Sequence, residues 1–168
     1  MRLGCGVARP WIMDLAPGMD APRLSLESPD GTVVIPAVGR SQALFFFKAD
    51  CPTCPLAAPA VEHLREAYPA LEVVAVSQDN SAAARLWLAR HGLGAAIAHD
   101  GEGYPASRAF GLLAVPTLVL IDDRGKIAAV QEGWSRAGYD ELAQQAARLT
   151  GLPVVPIAPA EGPAFQPG

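Results

Sequence analysis

A continuous apolar run over residues 43–47, bounded by polar residues, restricts this sequence to folds that contain a strand covered on both faces. A second buried strand is predicted over residues 71–77. Between them, apolar residues recur at the spacing of one helical face, at Ala57, Val61, Leu64 and Tyr68. The sequence therefore predicts two buried strands with a helix between them that packs through one face.

Strand and helix patterns continue to alternate along the chain. A hairpin is predicted over 23–37, helices over 81–92, 104–112 and 139–150, and strands over 95–100, 117–122 and 126–132. The last two strands form a second hairpin around a short turn. This order predicts an α/β fold with an N-terminal β-hairpin and a mixed central β-sheet that carries helices on both faces.

The placement of proline divides the chain into a domain and two extensions. Four of the 16 prolines fall in residues 1–30 and five in residues 152–168. A chain of 168 residues can bury one core. We therefore expect an irregular N-terminal extension over 1–20, one domain over 21–152 and a proline-rich, extended tail over 153–168.

Charge and hydropathy exclude two classes of partner. The net charge is −4 and no basic block occurs, which argues against nucleic acid. No apolar stretch approaches the roughly 20 residues of a membrane-spanning helix. The first residues do not follow the pattern of a secretory signal, so we expect a cytoplasmic location.

Two cysteines carry the candidate chemistry. Cys51 and Cys54 form a Cys-Pro-Thr-Cys motif where the first buried strand ends and the helix begins. One helical turn brings their sulfurs within disulfide range, and a helix N-terminus stabilises a thiolate. We expect Pro52 at the first helical position and Cys51 in the more exposed capping position, so that Cys51 attacks and Cys54 resolves. Pro55 and Pro59 predict an irregular start to this helix.

Two other uses of the cysteine pair are disfavoured. Zinc needs about four ligands, and Cys5, His63, His91 and His99 supply no matching second pair, so no metal is expected. A static disulfide does not suit a reducing cytosol. The expected redox group is the Cys51–Cys54 disulfide itself, without a further cofactor.

Four segments resemble the TlpA-like and redoxin branch of the thioredoxin superfamily, whose members are thiol–disulfide oxidoreductases. They are PGMDAPRLSLESPDG, LFFFKADCPTCPLAAP, VVAVSQD and FGLLAVPTLVLIDDRGKI, and the similarity covers about residues 18–150. The resemblance implies a thioredoxin-like three-layer sandwich. It also implies that Pro116 is cis beside the cysteines and that the backbone of Val115 pairs with substrate. Pro52 and Thr53, between the cysteines, are expected to contact substrate as well.

The sequence departs from the family around the motif. Asp50 stands where an aromatic residue is usual, Phe45 where thioredoxin has a buried Asp, and Ala57 where many TlpA-like proteins have Glu. The group that handles the proton of Cys54 is therefore not assigned. Lys48 should favour a thiolate on Cys51 and Asp50 should disfavour it, and we take Lys48 as the candidate support.

Three functions remain open. The first is exchange of disulfides with protein partners, most simply as a reductase that an upstream reductant regenerates. The second is a peroxiredoxin-like peroxidase with an antioxidant role, although Lys48 occupies the position where such enzymes carry Thr. The third is a thioredoxin-fold binding module without catalysis.

Overall fold

The computed structural model describes residues 15–168, which form a seven-stranded sheet flanked by helices. The elements are β1 Leu24–Ser28, β2 Gly31–Ile35, β3 Gln42–Phe47, α1 Cys54–Ala67, β4 Glu72–Ser77, α2 Ser81–Arg90, β5 Ala96–His99, α3 Pro105–Ala109, β6 Thr117–Ile121, β7 Ile127–Glu132, β8 Trp134–Ser135, α4 Arg136–Thr150 and β9 Phe165–Gln166. Cys5 lies outside the described residues.

The sheet is mixed, with the order β2-β1-β5-β4-β3-β6-β7. The three strands β3, β4 and β5 are parallel, whereas β6 runs antiparallel to both β3 and β7. The predicted α/β fold with a mixed sheet and an N-terminal hairpin is confirmed.

Strand β3 is apolar from Ala43 to Phe47 because it lies near the middle of the sheet with both faces covered. Phe45 and Phe47 contact Trp87 of α2 on one face. Phe46 packs against Phe110 on the other face. Hydrophobic cores on the two faces of the sheet fix the position of β3, and the loop that carries both cysteines follows directly from it.

The tail crosses the domain along a defined path. The Tyr68 hydroxyl donates to Pro153 O and accepts from the Val155 amide, at 3.2 and 2.9 Å. Ile157 is fully buried, and its amide donates to Asp140 Oδ1. From there the tail returns to β8, where β9 pairs antiparallel with it.

The described part of the N-terminal extension lies beside β7. The amide of Gly18 donates to Ile127 O, and the amide of Ile127 donates to Met19 O, both at 2.8 Å. Residues 1–14 of the predicted extension lie outside the described residues. Within residues 15–168, no helix combines the length and the hydropathy needed to cross a membrane.

Candidate active site

The motif lies at the carboxyl end of β3, and α1 begins later than the sequence predicts. The first helical residue is Cys54, and Thr53 is the N-cap, so the expected placement of Pro52 at the first helical position and Cys51 as the cap is wrong. The reason is local: the Cys51 amide donates to Lys48 O at 3.1 Å, which closes a separate turn before the helix. Pro55 then occupies the first helical turn, where its missing N–H leaves no bond unmade.

Cys51 is half-buried, and its sulfur has two polar contacts. The Cys54 amide donates to Cys51 Sγ at 3.1 Å, in place of a side-chain cap on the helix. The Cys51 thiol donates to Val115 O at 3.4 Å. These two contacts fix the position of the Cys51 sulfur at the start of α1, beside the Val115 carbonyl.

Cys54 is fully buried beneath Cys51. Burial raises the pKa of the Cys54 thiol well above its ordinary value, and the hydrogen bond with Cys51 raises it further. Cys54 therefore keeps its proton at neutral pH, whereas Cys51 lies closer to solvent. The two sulfurs have the unequal environments that a division into attacking and resolving cysteines requires.

Val115, whose carbonyl contacts Cys51, is followed in the chain by Pro116. The peptide bond between them is cis, and Pro116 is buried. Pro116 O accepts the Gly133 amide at 2.8 Å, which ties this loop to the connection between β7 and β8. The structure thus brings the loop that the resemblance singled out to within hydrogen-bond distance of Cys51.

Lys48 and Asp50 pair with each other beside the motif. Lys48 Nζ lies 3.5 Å from Asp50 Oδ1, and the Asp50 side chain is mostly exposed. The support that Lys48 would give to the Cys51 thiolate is reduced by this pairing. The role of Lys48 stays a prediction.

Sequence reasoning missed two groups near Cys54. Asp79 follows β4, and its Oδ2 accepts a hydrogen bond from the Ala49 amide at 2.6 Å. The negative charge of Asp79 contributes to the raised pKa of Cys54. Tyr139 of α4 is fully buried, and its hydroxyl has no hydrogen-bond partner among residues 15–168. Burial first, and the charge of Cys54 second, raise the pKa of Tyr139. The sequence signal that could have identified Tyr139 is the presence of a tyrosine on an otherwise apolar helix face.

The tail also reaches the motif. Thr53 Oγ1 donates to Pro167 O at 2.7 Å and accepts from Gln166 Nε2 at 2.8 Å. Thr53 is only 2% exposed, whereas Pro52 is exposed. Of the residues predicted to contact substrate, Thr53 is thus already engaged by the chain itself. Within residues 15–168, no three potential metal-ligating side chains come together.

Comparison with known proteins places this site in a family. The redoxin profile matches residues 16–146. A crystal structure assigned as the thiol:disulfide interchange protein DsbE from Chlorobium tepidum has 29% sequence identity and a TM-score of 0.74, covering 82% of this chain and 100% of that one. A solution structure assigned as a thioredoxin from Neisseria meningitidis has 29% identity and a TM-score of 0.64, covering 76% and 89%.

A third structure supports the fold alone. The solution structure assigned as a protein disulfide isomerase from Bacteroides thetaiotaomicron has 18% identity and a TM-score of 0.72, covering 82% of this chain and 92% of that one. No curated protein matches the sequence. Because the redoxin profile spans most of the chain and the fold agrees with it, this protein belongs to the redoxin family of the thioredoxin superfamily.

Proposed function

We propose that this protein reduces disulfides in protein partners through Cys51 and Cys54. The family and the similar structures support a thiol–disulfide oxidoreductase. The observation that carries the finer proposal is the contrast between the two sulfurs: Cys51 is half-buried and hydrogen-bonded to the Cys54 amide, and Cys54 is fully buried.

The reaction follows from this contrast. The Cys51 thiolate attacks one sulfur of a partner disulfide, which forms a mixed disulfide and releases the other partner sulfur as a thiolate. Cys54 then loses its proton, which the released partner thiolate takes up, and attacks the Cys51 sulfur. The mixed disulfide breaks, the partner leaves as a dithiol, and the Cys51–Cys54 disulfide remains. A thiol reductant upstream returns the pair to its reduced form, and no other cofactor takes part.

The direction of transfer is the second part of the proposal. Strong oxidants of this chemistry are those whose reduced form is stabilised. Burial of Cys54 disfavours its thiolate, so this position gives the reduced form no such stabilisation. A cytosolic glutathione pool would also keep the pair reduced, and we propose that the protein acts as a reductase in the cytoplasm.

Substrate recognition falls to the residues around Cys51. We propose that the backbone of Val115, the ring of Pro116 and the exposed Pro52 contact the partner next to its disulfide, with Thr53 at the edge. The position of Val115 O, 3.4 Å from Cys51 Sγ, supports this assignment because a polypeptide bonded there lies beside the attacking sulfur.

The test is turnover and trapping with matched serine variants. Cys51→Ser should abolish reduction of insulin disulfides, whereas Cys54→Ser should accumulate mixed disulfides that dithiothreitol releases. Equilibration with glutathione should give a potential more negative than about −250 mV. A potential near about −120 mV, typical of a strong oxidant, would contradict the reductase assignment. Trapping by Cys51→Ser instead of Cys54→Ser would reverse the assigned roles.

A further inference from the structure

The end of the tail lies against three parts of the proposed substrate site. We name residues 163–168 the tail segment, and we name the surface bounded by Thr53, Val115 and β8 the peptide groove. The tail segment follows this groove from β8 to the cis-proline loop. It is held there mainly through its backbone, as an added strand would be.

At one end, the tail segment extends β8. The Trp134 Nε1–H donates to Pro163 O at 2.7 Å, and the Arg136 amide donates to Ala164 O at 2.9 Å. Trp134 pairs with Gln166 and Ser135 with Phe165 in antiparallel register. These contacts use carbonyl groups of the tail segment, which any polypeptide can offer.

In the middle, Thr53 binds the tail segment from within the Cys-Pro-Thr-Cys motif. Its hydroxyl donates to Pro167 O and accepts from the Gln166 side chain. Since Thr53 lies between the two cysteines, this bond brings the tail segment next to the reacting sulfurs.

At the far end, Gly168 lies against Val115 O. A β-carbon built on Gly168 would be 2.7 Å from that oxygen and 2.9 Å from Ala114 Cβ. Gly133, just before β8, leaves similar room, because a β-carbon there would be 3.0 Å from Gln166 O. Val115 O is also the acceptor of the Cys51 thiol. The tail segment therefore reaches the carbonyl that the attacking cysteine contacts.

We propose that the tail segment is a built-in peptide ligand of the groove and that a partner must displace it before Cys51 reacts. This inference rests on the proposed function. The partner it fits is an extended polypeptide that adds beside β8, places a main-chain carbonyl at Thr53 Oγ1 and brings a small residue to Val115 O. The disulfide of such a partner would then lie beside Cys51.

The contacts of the tail segment allow it to leave without opening the core. Every residue of the tail segment except Gln166 is exposed, and Phe165 is 66% exposed. The apolar anchor of the tail is Ile157, which lies outside the tail segment and is fully buried. If the groove is open in about a tenth of the molecules, the apparent affinity for a partner is lowered about ten-fold.

The experiment measures access to Cys51 in a background in which Cys5 and Cys54 are both serine. Deletion of residues 163–168 should raise the rate of iodoacetamide alkylation of Cys51, by about ten-fold where the groove is open in about a tenth of the full-length molecules. A synthetic peptide of residues 161–168 should restore the slow rate. Gln166→Ala and Gly168→Ala, which keep the full chain and its core, should raise the rate in the same direction. Phe165→Ala is the matched control and should leave it unchanged.

Activity of the same tail variants, made with all native cysteines present, separates the two proposals. Deletion of the tail segment should raise kcat/KM for insulin reduction about ten-fold, in parallel with alkylation. Equal alkylation and equal turnover in the full-length and shortened proteins would refute the tail proposal and leave the reductase intact. Absence of turnover in both would refute the proposed function, and with it the substrate role of the groove. Failure of the peptide to slow alkylation would also refute the tail proposal.

Discussion

Replacement of Tyr139 by Phe should stabilise the protein, because the hydroxyl is fully buried and has no hydrogen-bond partner among residues 15–168. Protein mutational data place the cost of burying such a group at about 1–3 kcal/mol. The void left by the missing oxygen reduces this gain by a few tenths of a kcal/mol, at about 24 cal/mol per Å³. We expect a net gain of about 1 kcal/mol, which raises the Tm of a chain of this size by roughly 2–4 °C.

Tyr68 offers a matched control because it is equally buried but fully bonded. Its hydroxyl donates to Pro153 O and accepts from the Val155 amide. Tyr68→Phe should therefore lower the free energy of unfolding by about 1 kcal/mol. The assay is thermal unfolding of both variants and the parent, each in the reduced form.

One result would refute this reasoning. If Tyr139→Phe is as destabilising as Tyr68→Phe, the Tyr139 hydroxyl has a bonding partner in solution. A parallel slowing of the step in which Cys54 releases the mixed disulfide would identify that partner as Cys54.

Four other predictions follow from the site and its support. Because the pKa of Cys54 is raised, the folded protein keeps the Cys54 proton at pH values where the unfolded chain loses it. Above pH 9.0, the ordinary pKa of this thiol, urea titrations of the reduced protein should show a loss of up to about 1.4 kcal/mol in the free energy of unfolding per pH unit, relative to Cys54→Ala. Equal slopes in the two proteins would contradict this prediction. Ile157→Ala should cost about 2–5 kcal/mol and speed alkylation of Cys51, and a loss below about 1 kcal/mol would show that the tail is not anchored there. Lys48→Met should slow alkylation of Cys51 at neutral pH, because it removes a positive charge and leaves Asp50 without its partner beside the motif, and an unchanged rate would exclude a supporting role for Lys48. Hydrogen peroxide should oxidise Cys51 at the rate of an ordinary thiol in stopped-flow experiments, and a much faster rate would favour the peroxidase.

The sheet and most helices could be predicted because their signals are local. A strand covered on both faces is apolar along most of its length, as β3 is from Ala43 to Phe47. The helix that ends at Gly151 is recognisable because glycine tolerates the positive φ of that position. The start of α1 could not be predicted in this way. It depends on the turn closed by the Cys51 amide and Lys48 O and on the amide-to-sulfur bond from Cys54 to Cys51, neither of which a pattern of residue types encodes.

The rest of the site depends on contacts between residues distant in sequence. Asp79 affects the pKa of Cys54, and Cys54 affects that of Tyr139, only because the end of β4 and helix α4 lie beside Cys54. The path of the tail is set largely by backbone carbonyls such as that of Pro167, which every residue type carries. Gly133 and Gly168 were visible in the sequence, but their meaning required knowing which chain lies against them.

The buried indole of Trp134 has an optical consequence. It packs against Tyr139, with ring centroids 5.0 Å apart, and its Nε1–H is bonded to Pro163. Departure of the tail segment would break that bond and leave the indole N–H to water, so the emission of Trp134 should shift to longer wavelength. In a variant with Trp11 and Trp87 replaced by Phe, fluorescence would follow the opening of the groove in real time, without any attached dye.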